Sequence, residues 1–130
     1  MAGSYLLDTN LVIALFSGEP AVVDHLDRAE EIFLPSIVLG ELSFGARKSS
    51  RTQENLARID EFSWQVVVLN CDAETARHYG TIKNALRIKG RPIPDNDIWI
   101  AAVAQQYHLT LVTRDTHFAE VDDLSIEAWS

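Results

Sequence analysis

The chain has 130 residues, 47% of them apolar and 23% charged, with a formal net charge of −8. That length predicts one domain over residues 1–130, with room for a real core and little for a second. The composition excludes an intrinsically disordered chain, and no apolar run is long enough to span a bilayer.

In chain order, Tyr5-Leu6-Leu7 predicts a short buried strand, and Leu11 to Phe16 a helix closing near Ser17-Gly18. Pro20 opens a second helix with Val22, Val23 and Leu26 on one face. Ile32-Phe33-Leu34 predicts the second strand, and Pro35-Ser36 the start of a helix carrying Ile37, Leu39, Leu42 and Phe44. A basic, serine-rich loop from Arg47 to Thr52 leads to a helix with Leu56, Ile59 and Phe62 at helical spacing. Trp64 to Leu69, rich in β-branched residues, predicts the third strand. Asp72 caps a long helix through Ala76, Tyr79, Ile82 and Leu86, ended by Gly90 and Pro92. The segment from about Asn96 to Tyr107 is apolar nearly all round and predicts a buried helix. Leu109 to Thr113 follows as the fourth strand, and Leu124 to Trp129 as a short edge strand. This alternation predicts a three-layer α/β/α sandwich around a mostly parallel sheet, whose sites form beyond the carboxyl ends of the strands.

Four acids stand at element ends or within apolar helices: Asp8, Glu41, Asp97 and Asp115. Asp8 and Asp115 follow predicted strand ends. Three have local explanations. Asp8 can cap the helix that follows, worth about 1 kcal/mol. Asp95 and Asp97 can complement a helix dipole, and Asp115 can close an Asx-turn. Glu41 lies within Ile37-Val38-Leu39-Gly40-Glu41-Leu42, with no basic residue nearby before Arg47, and is harder to explain alone. A carboxylate among apolar neighbours needs a compensating cation, and several together repel unless protonated or bridged by a metal. The set therefore predicts a divalent-cation site. Magnesium and manganese take hard oxygen ligands. Such a cation acidifies a water and screens a phosphodiester, and two of them about 3.5–4 Å apart flank the attacking and leaving oxygens. No histidine pair has ligand spacing, which argues against zinc.

The acidic total argues against a nucleic-acid partner, but the charge is unevenly spread. Residues 47–91 hold nine basic residues against five acidic ones, whereas the remainder holds two against fourteen. A basic surface beside an acidic pocket is compatible with that asymmetry. Lys83, Arg87, Lys89 and Arg91 precede the Asp95–Asp97 segment and are candidate RNA-phosphate contacts; a solvated helix end is the alternative. His25, His78, His108 and His117 read as structural, with His117 set apart by its place beside Asp115. Trp64, Trp99 and Trp129 read as core or interface residues. Cys71 reads as inert, and a lone cysteine with no basic secretory start predicts a reducing cytoplasm.

Leu6-Leu7-Asp8-Thr9-Asn10, Ser36 to Leu42, Pro94 to Ala102 and Leu111 to Phe118 occur in an order and spacing that resembles the PIN-domain ribonucleases. Within that family the chain looks most like the VapC-type toxins of bacterial toxin–antitoxin pairs. The resemblance implies that Asp8, Glu41, Asp97 and Asp115 form an acidic magnesium or manganese site, with Asn10, Asp95 and Thr113 in support. Asp115 matches a position that varies between Asp and Asn in the family. The implied activity is metal-dependent endonucleolytic cleavage of structured RNA, leaving a 5′-phosphate and a 3′-hydroxyl, with tRNA (initiator tRNA in the group it resembles) as the expected target. The implied partners are a VapB-like antitoxin, whose basic residue enters the acidic pocket, and a second copy of the toxin. Both would use the apolar surplus of the helices at Val12 to Phe16 and Val38 to Phe44.

Two other readings compete. A receiver-like magnesium-binding signalling module would want paired acids after the first strand and a lysine after a late one, where this chain has Asp8 alone and Arg114-Asp115. A phosphatase of the haloacid-dehalogenase type would want an acid at Asn10. A catalytically silent binding domain is the third possibility, and the intact acid set argues against it.

Overall fold

In a computed structural model that describes residues 3–129, the chain forms one five-stranded sheet flanked by helices. β1 (Ser4–Leu7) leads into α1 (Thr9–Phe16) and α2 (Pro20–Arg28). β2 (Glu31–Pro35) leads into α3 (Ser36–Lys48) and α4 (Thr52–Gln65), and β3 (Val67–Leu69) into α5 (Ala73–Lys89) and α6 (Asp95–Gln106). β4 (Thr110–Val112) leads into a 3₁₀ helix (Thr116–Glu120) and the last strand, β5 (Ile126–Glu127). No helix among the described residues is long and apolar enough to cross a membrane.

The strand order is β3-β2-β1-β4-β5, and every neighbouring pair is parallel. The sheet is thus wholly parallel in an α/β/α sandwich, where the sequence predicts a mostly parallel one. The chain steps outward from β1 through β2 to β3, then returns to lay β4 on the other side of β1. Such a reversal opens a crevice beyond the carboxyl ends of the two adjoining strands, the usual place for a site in this architecture. Leu7 lies beside Val112, and the Asp8 N–H donates to the Val112 carbonyl at 3.0 Å, so the residues leaving β1 and β4 emerge level with each other.

Parallel strands covered on both faces read as unbroken apolar runs; Leu6, Leu7, Leu111 and Val112 are all fully buried. The buried helix expected near residues 96–107 is α6, in which Ile100 to Ala104 are all buried. Long α5 begins at an Asp72 capping box and ends at Gly90, whose φ of 70° suits a residue without a Cβ. Leu111→Ala, fully buried on β4 beside the central strand, is expected to cost about 2–5 kcal/mol, read from the urea midpoint of the full chain.

Four local expectations need correction. The Trp64 to Leu69 strand begins only at Val67, because the Leu56-Ile59-Phe62 period carries α4 on through Gln65. Trp64 consequently sits on the outer face of that helix, 81% exposed, and is no core residue. The Arg47 to Thr52 loop shrinks, since α3 runs to Lys48 and the Ser49 hydroxyl donates to the Ala46 carbonyl at its end. Val23 and Phe44, both expected on apolar faces, are exposed. The 3₁₀ helix after β4 had no sequence-level counterpart.

Candidate active site

Asp8 stands one residue past the end of β1 and Asp115 three past the end of β4, the two strands that border the crevice. Asp8 is the N-cap of α1: its Oδ1 accepts the Thr9 N–H at 2.8 Å. Its Oδ2 accepts from the Thr113 hydroxyl at 2.7 Å and the Asn10 carboxamide at 3.2 Å. Asp8 is buried, with 5% exposure, and that burial is the main force raising its pKa above the usual carboxylate range. The Thr113 and Thr9 hydrogen bonds act against the rise, and the charges of Glu41 and Asp115 add to it.

Thr113 links both strand ends, for its hydroxyl also accepts the Asp115 N–H at 3.0 Å. Asp115 in turn accepts the His117 N–H at 2.9 Å, capping the 3₁₀ helix. The local explanations of Asp8 and Asp115 therefore hold together with the shared one: in each case one oxygen caps a helix while the carboxylate faces the crevice.

The helices bring the other acids. Glu41, in the middle of α3, accepts from the Thr9 hydroxyl at 2.6 Å through Oε1, and the Asn96 carboxamide lies 3.4 Å from Oε2. Asp97, in the first turn of α6, has a side chain only 13% exposed. Its pKa is raised to about 6, chiefly by burial and further by the charges of Asp115 and Asp8, against a lowering contact from His117. The His117 Nδ1 lies 3.3 Å from Asp97 Oδ2 and 3.1 Å from Asp115 Oδ1. His117 thus touches two of the four acids, and the ligand atoms of Asp97, Asp115 and His117 lie within 4.8 Å of one another. Its position two residues after Asp115, where the Asx-turn returns it to that carboxylate, was the signal available in the sequence.

The remaining candidates divide. Asn10 and Thr113 support Asp8 directly, and Thr9 and Asn96, whose roles no local sequence signal marks, hold Glu41. Asp95, predicted to assist, faces α5 instead, where its Oδ1 takes the Lys83 ammonium at 3.0 Å and the Tyr79 hydroxyl at 3.1 Å. These contacts hold the Asp95 carboxyl below its ordinary range. Of the candidate RNA contacts, Lys83 is thus paired with Asp95, and Lys89 with Asp122 at 2.9 Å. Arg87 and Arg91 remain exposed, Arg87 resting on Asn84. The late-strand cation of a receiver has no equivalent here, because Arg114 pairs with Glu19 and not with the acids.

The donor set consists of hard carboxylate oxygens with one imidazole. Among the described residues, the ion pairs of the four acids involve no Lys or Arg, only His117. Burial and mutual repulsion that raise Asp8 and Asp97 are the strain a divalent cation relieves, and oxygen-rich sites of this kind suit magnesium or manganese. The residues fit such an ion.

The PIN domain profile matches residues 5–124. The tRNA(fMet)-specific endonuclease VapC of Shigella flexneri is 36% identical over 129 residues, spanning 97% of this chain and 98% of that protein. Ribonuclease VapC2 of Haemophilus influenzae is 35% identical over 128 residues, 96% of this chain and 97% of its own length. Among solved structures, a chain of VapBC2 from Rickettsia felis bound to a promoter DNA fragment superposes with a TM-score of 0.91 at 30% identity, covering 98% of this chain and 99% of that one. With Asp8, Glu41, Asp97 and Asp115 converging at the sheet crevice, and with likeness of sequence and fold running over nearly the whole length, this chain belongs to the PIN-domain family, among the VapC ribonucleases.

Proposed function

We propose that this chain is a magnesium- or manganese-dependent endoribonuclease, the toxin of a toxin–antitoxin pair, which cleaves structured RNA such as a tRNA. The observation that carries this reading is that carboxylates from the ends of β1 and β4 and from α3 and α6 lie close enough for Glu41 and Asp115 to act on Asp8, and Asp115 and Asp8 on Asp97, with no Lys or Arg among the ion pairs of those acids in the described residues. Relatives named as tRNA(fMet)-specific endonuclease and ribonuclease support the substrate class.

Asp8, Glu41, Asp97 and Asp115 would hold the ion, with His117 at its edge. When bound, the ion supplies an acidified water and screens the phosphodiester. This chain's own residues orient the ligands. Thr113 and Asn10 aim the Asp8 carboxylate, Thr9 and Asn96 fix Glu41, and the His117 N–H turns Asp115. Hydrogen bonds of this outer kind commonly change metal affinity or activity by about 10–100-fold. Asp97, poised near pH 6, can carry a proton when the ion is absent and release it when the ion arrives.

Purified protein incubated with total tRNA is expected to give discrete fragments with magnesium or manganese and none with EDTA. Folded, metal-loaded, antitoxin-free protein that leaves tRNA and ribosomal RNA intact would overturn the reading. Arg87 and Arg91 are exposed cations that shortly precede the α6 acids in sequence and would grip RNA phosphates there. Reversing both charges is expected to raise the RNA concentration at half-maximal rate several-fold and flatten its salt dependence; an unchanged salt slope would remove them from the interface.

A VapB-like antitoxin is the partner this reading implies, in keeping with the VapBC complexes among its structural relatives. A cleft of about 390 Å³ between α1, α3 and α4, lined by Ile13, Phe16, Leu42 and Ile59, opens at Thr9 and Glu41 and suits an apolar antitoxin segment ending in a basic residue. The exposed Phe44 face of α3 is assigned to a second copy of the chain.

A further inference from the structure

Arg114 sits between Thr113 and Asp115 in sequence, yet its side chain pairs with none of the four acids. Nη1 donates to Glu19 Oε2 at 3.1 Å, and Nη2 to Glu19 Oε1 at 2.9 Å and to the Trp129 carbonyl at 3.0 Å. Its backbone N–H donates to Asn10 Oδ1 at 3.2 Å, and the same Asn10 carboxamide donates to Asp8. One residue thereby fastens three segments at the mouth of the crevice: the corner after β4, the turn between α1 and α2, and the segment after β5. That last segment is firmly seated. Trp129 is 4% exposed, stacked on His25 at 4.8 Å and met edge-on by Tyr5 at 5.0 Å.

A half-exposed ion pair contributes little stability by itself. The bidentate fork is a matter of geometry, which only a planar guanidinium supplies. The Arg114 bond holds the Glu19 carboxyl below its ordinary range, so the pair stays ionised at neutral pH. A cation next in sequence to Asp115 is also kept engaged elsewhere, leaving the acids unneutralised.

We propose that Arg114 is a positioning residue, clamped by Glu19 and the Trp129 carbonyl, that sets the Thr113–Asp115 corner and, through Thr113 and Asn10, the Asp8 carboxylate for divalent-cation binding. The proposal rests on the metal-dependent ribonuclease reading above. Arg114→Lys keeps the charge and loses the fork; Glu19→Gln keeps the shape and loses the charge. The full-length protein is titrated with magnesium, reading the thermal-unfolding shift and, in parallel, single-turnover tRNA cleavage. Each variant is expected to need about 10-fold more magnesium for half-maximal shift, with the double variant no worse than the worse single one. Cleavage is expected to recover at high magnesium. A lower melting temperature with an unchanged magnesium midpoint would mark a mere structural brace and overturn the proposal. Glu19→Gln alone decides the matter where Arg114→Lys fails to fold. A parent protein that binds magnesium without cleaving RNA sinks the nuclease reading, while the midpoints still judge the clamp. A parent with no magnesium shift sinks the clamp together with the metal centre.

Discussion

Asp8→Asn is expected to lower RNA cleavage by about 10²–10⁴-fold, the several kcal/mol that a displaced catalytic cation represents, while the protein still folds. The substitution is nearly isosteric, and the new carbonyl oxygen can keep the Thr9 cap. The carboxamide nitrogen would face two donors, the Thr113 hydroxyl and the Asn10 carboxamide. Thr113 can turn its hydroxyl hydrogen away and accept from the carboxamide beside the Asp115 N–H, but Asn10 can flip only by losing the Arg114 N–H, which ties α1 to the corner after β4. The change therefore removes a ligand charge and disturbs both sides of the crevice. Removing a buried, repelled charge offsets part of the structural cost. Single-turnover cleavage alongside a urea melt checks both halves. Cleavage within tenfold of the parent, in a protein of normal stability, would place the chemistry elsewhere.

The second large effect concerns the metal-free protein. The Asp97 pKa is about 6 when folded against 3.8 for the free side chain, so the folded state holds its proton more tightly than the unfolded one. The stability this contributes is fully present below pH 3.8 and is lost as pH rises through about 6. At pH 7.5 the ionised group costs on the order of 3 kcal/mol. Metal-free Asp97→Asn is accordingly expected to be more stable than the parent by about that amount at pH 7.5, with the advantage vanishing near pH 4. Magnesium should stabilise the parent above pH 6 and leave the variant unmoved, because a ligand that binds only the folded state shifts the equilibrium by mass action. Chemical denaturation in EDTA across this pH range decides it; parallel curves for the two proteins would mean that Asp97 feels no such field. The expected difference would set the proposed ligand role of Asp97 against the stability of the metal-free protein.

Much of the architecture is legible because buried parallel strands are local patterns. Tyr5 to Leu7 and Ile32 to Leu34 are apolar runs and fall within β1 and β2, and the Leu109 to Thr113 segment holds β4 at Thr110–Val112. α5 announces itself at both ends, through Asp72 and Gly90. The failures occur where two local signals compete. The aromatic, β-branched run at Trp64 to Leu69 favours a strand, but the apolar period of α4 extends into it and wins as far as Gln65. Phe44 belongs to an apolar helical sequence and still faces outward, since one helix offers only one stripe to the core.

The four acids were readable from the sequence as a set: Glu41 lies in an apolar helix where a carboxylate is costly, and its occurrence beside Asp8, Asp97 and Asp115 outweighs the capping and dipole roles that each of those three can fill alone. What sequence alone determined is therefore the strand–helix alternation, the apolar faces and the residue types of the centre. Only the tertiary structure decided which groups meet. The bonds from Thr113 to Asp8 and from Thr9 to Glu41 join residues 105 and 32 positions apart, and the Arg114–Glu19 pair spans 95. Asp95 and Asp97, two residues apart on one helix, point to different neighbours: one to Lys83 on α5, the other to His117. No local period distinguishes them, because their roles follow from strand order and helix packing, and these are settled by the burial of the whole chain at once.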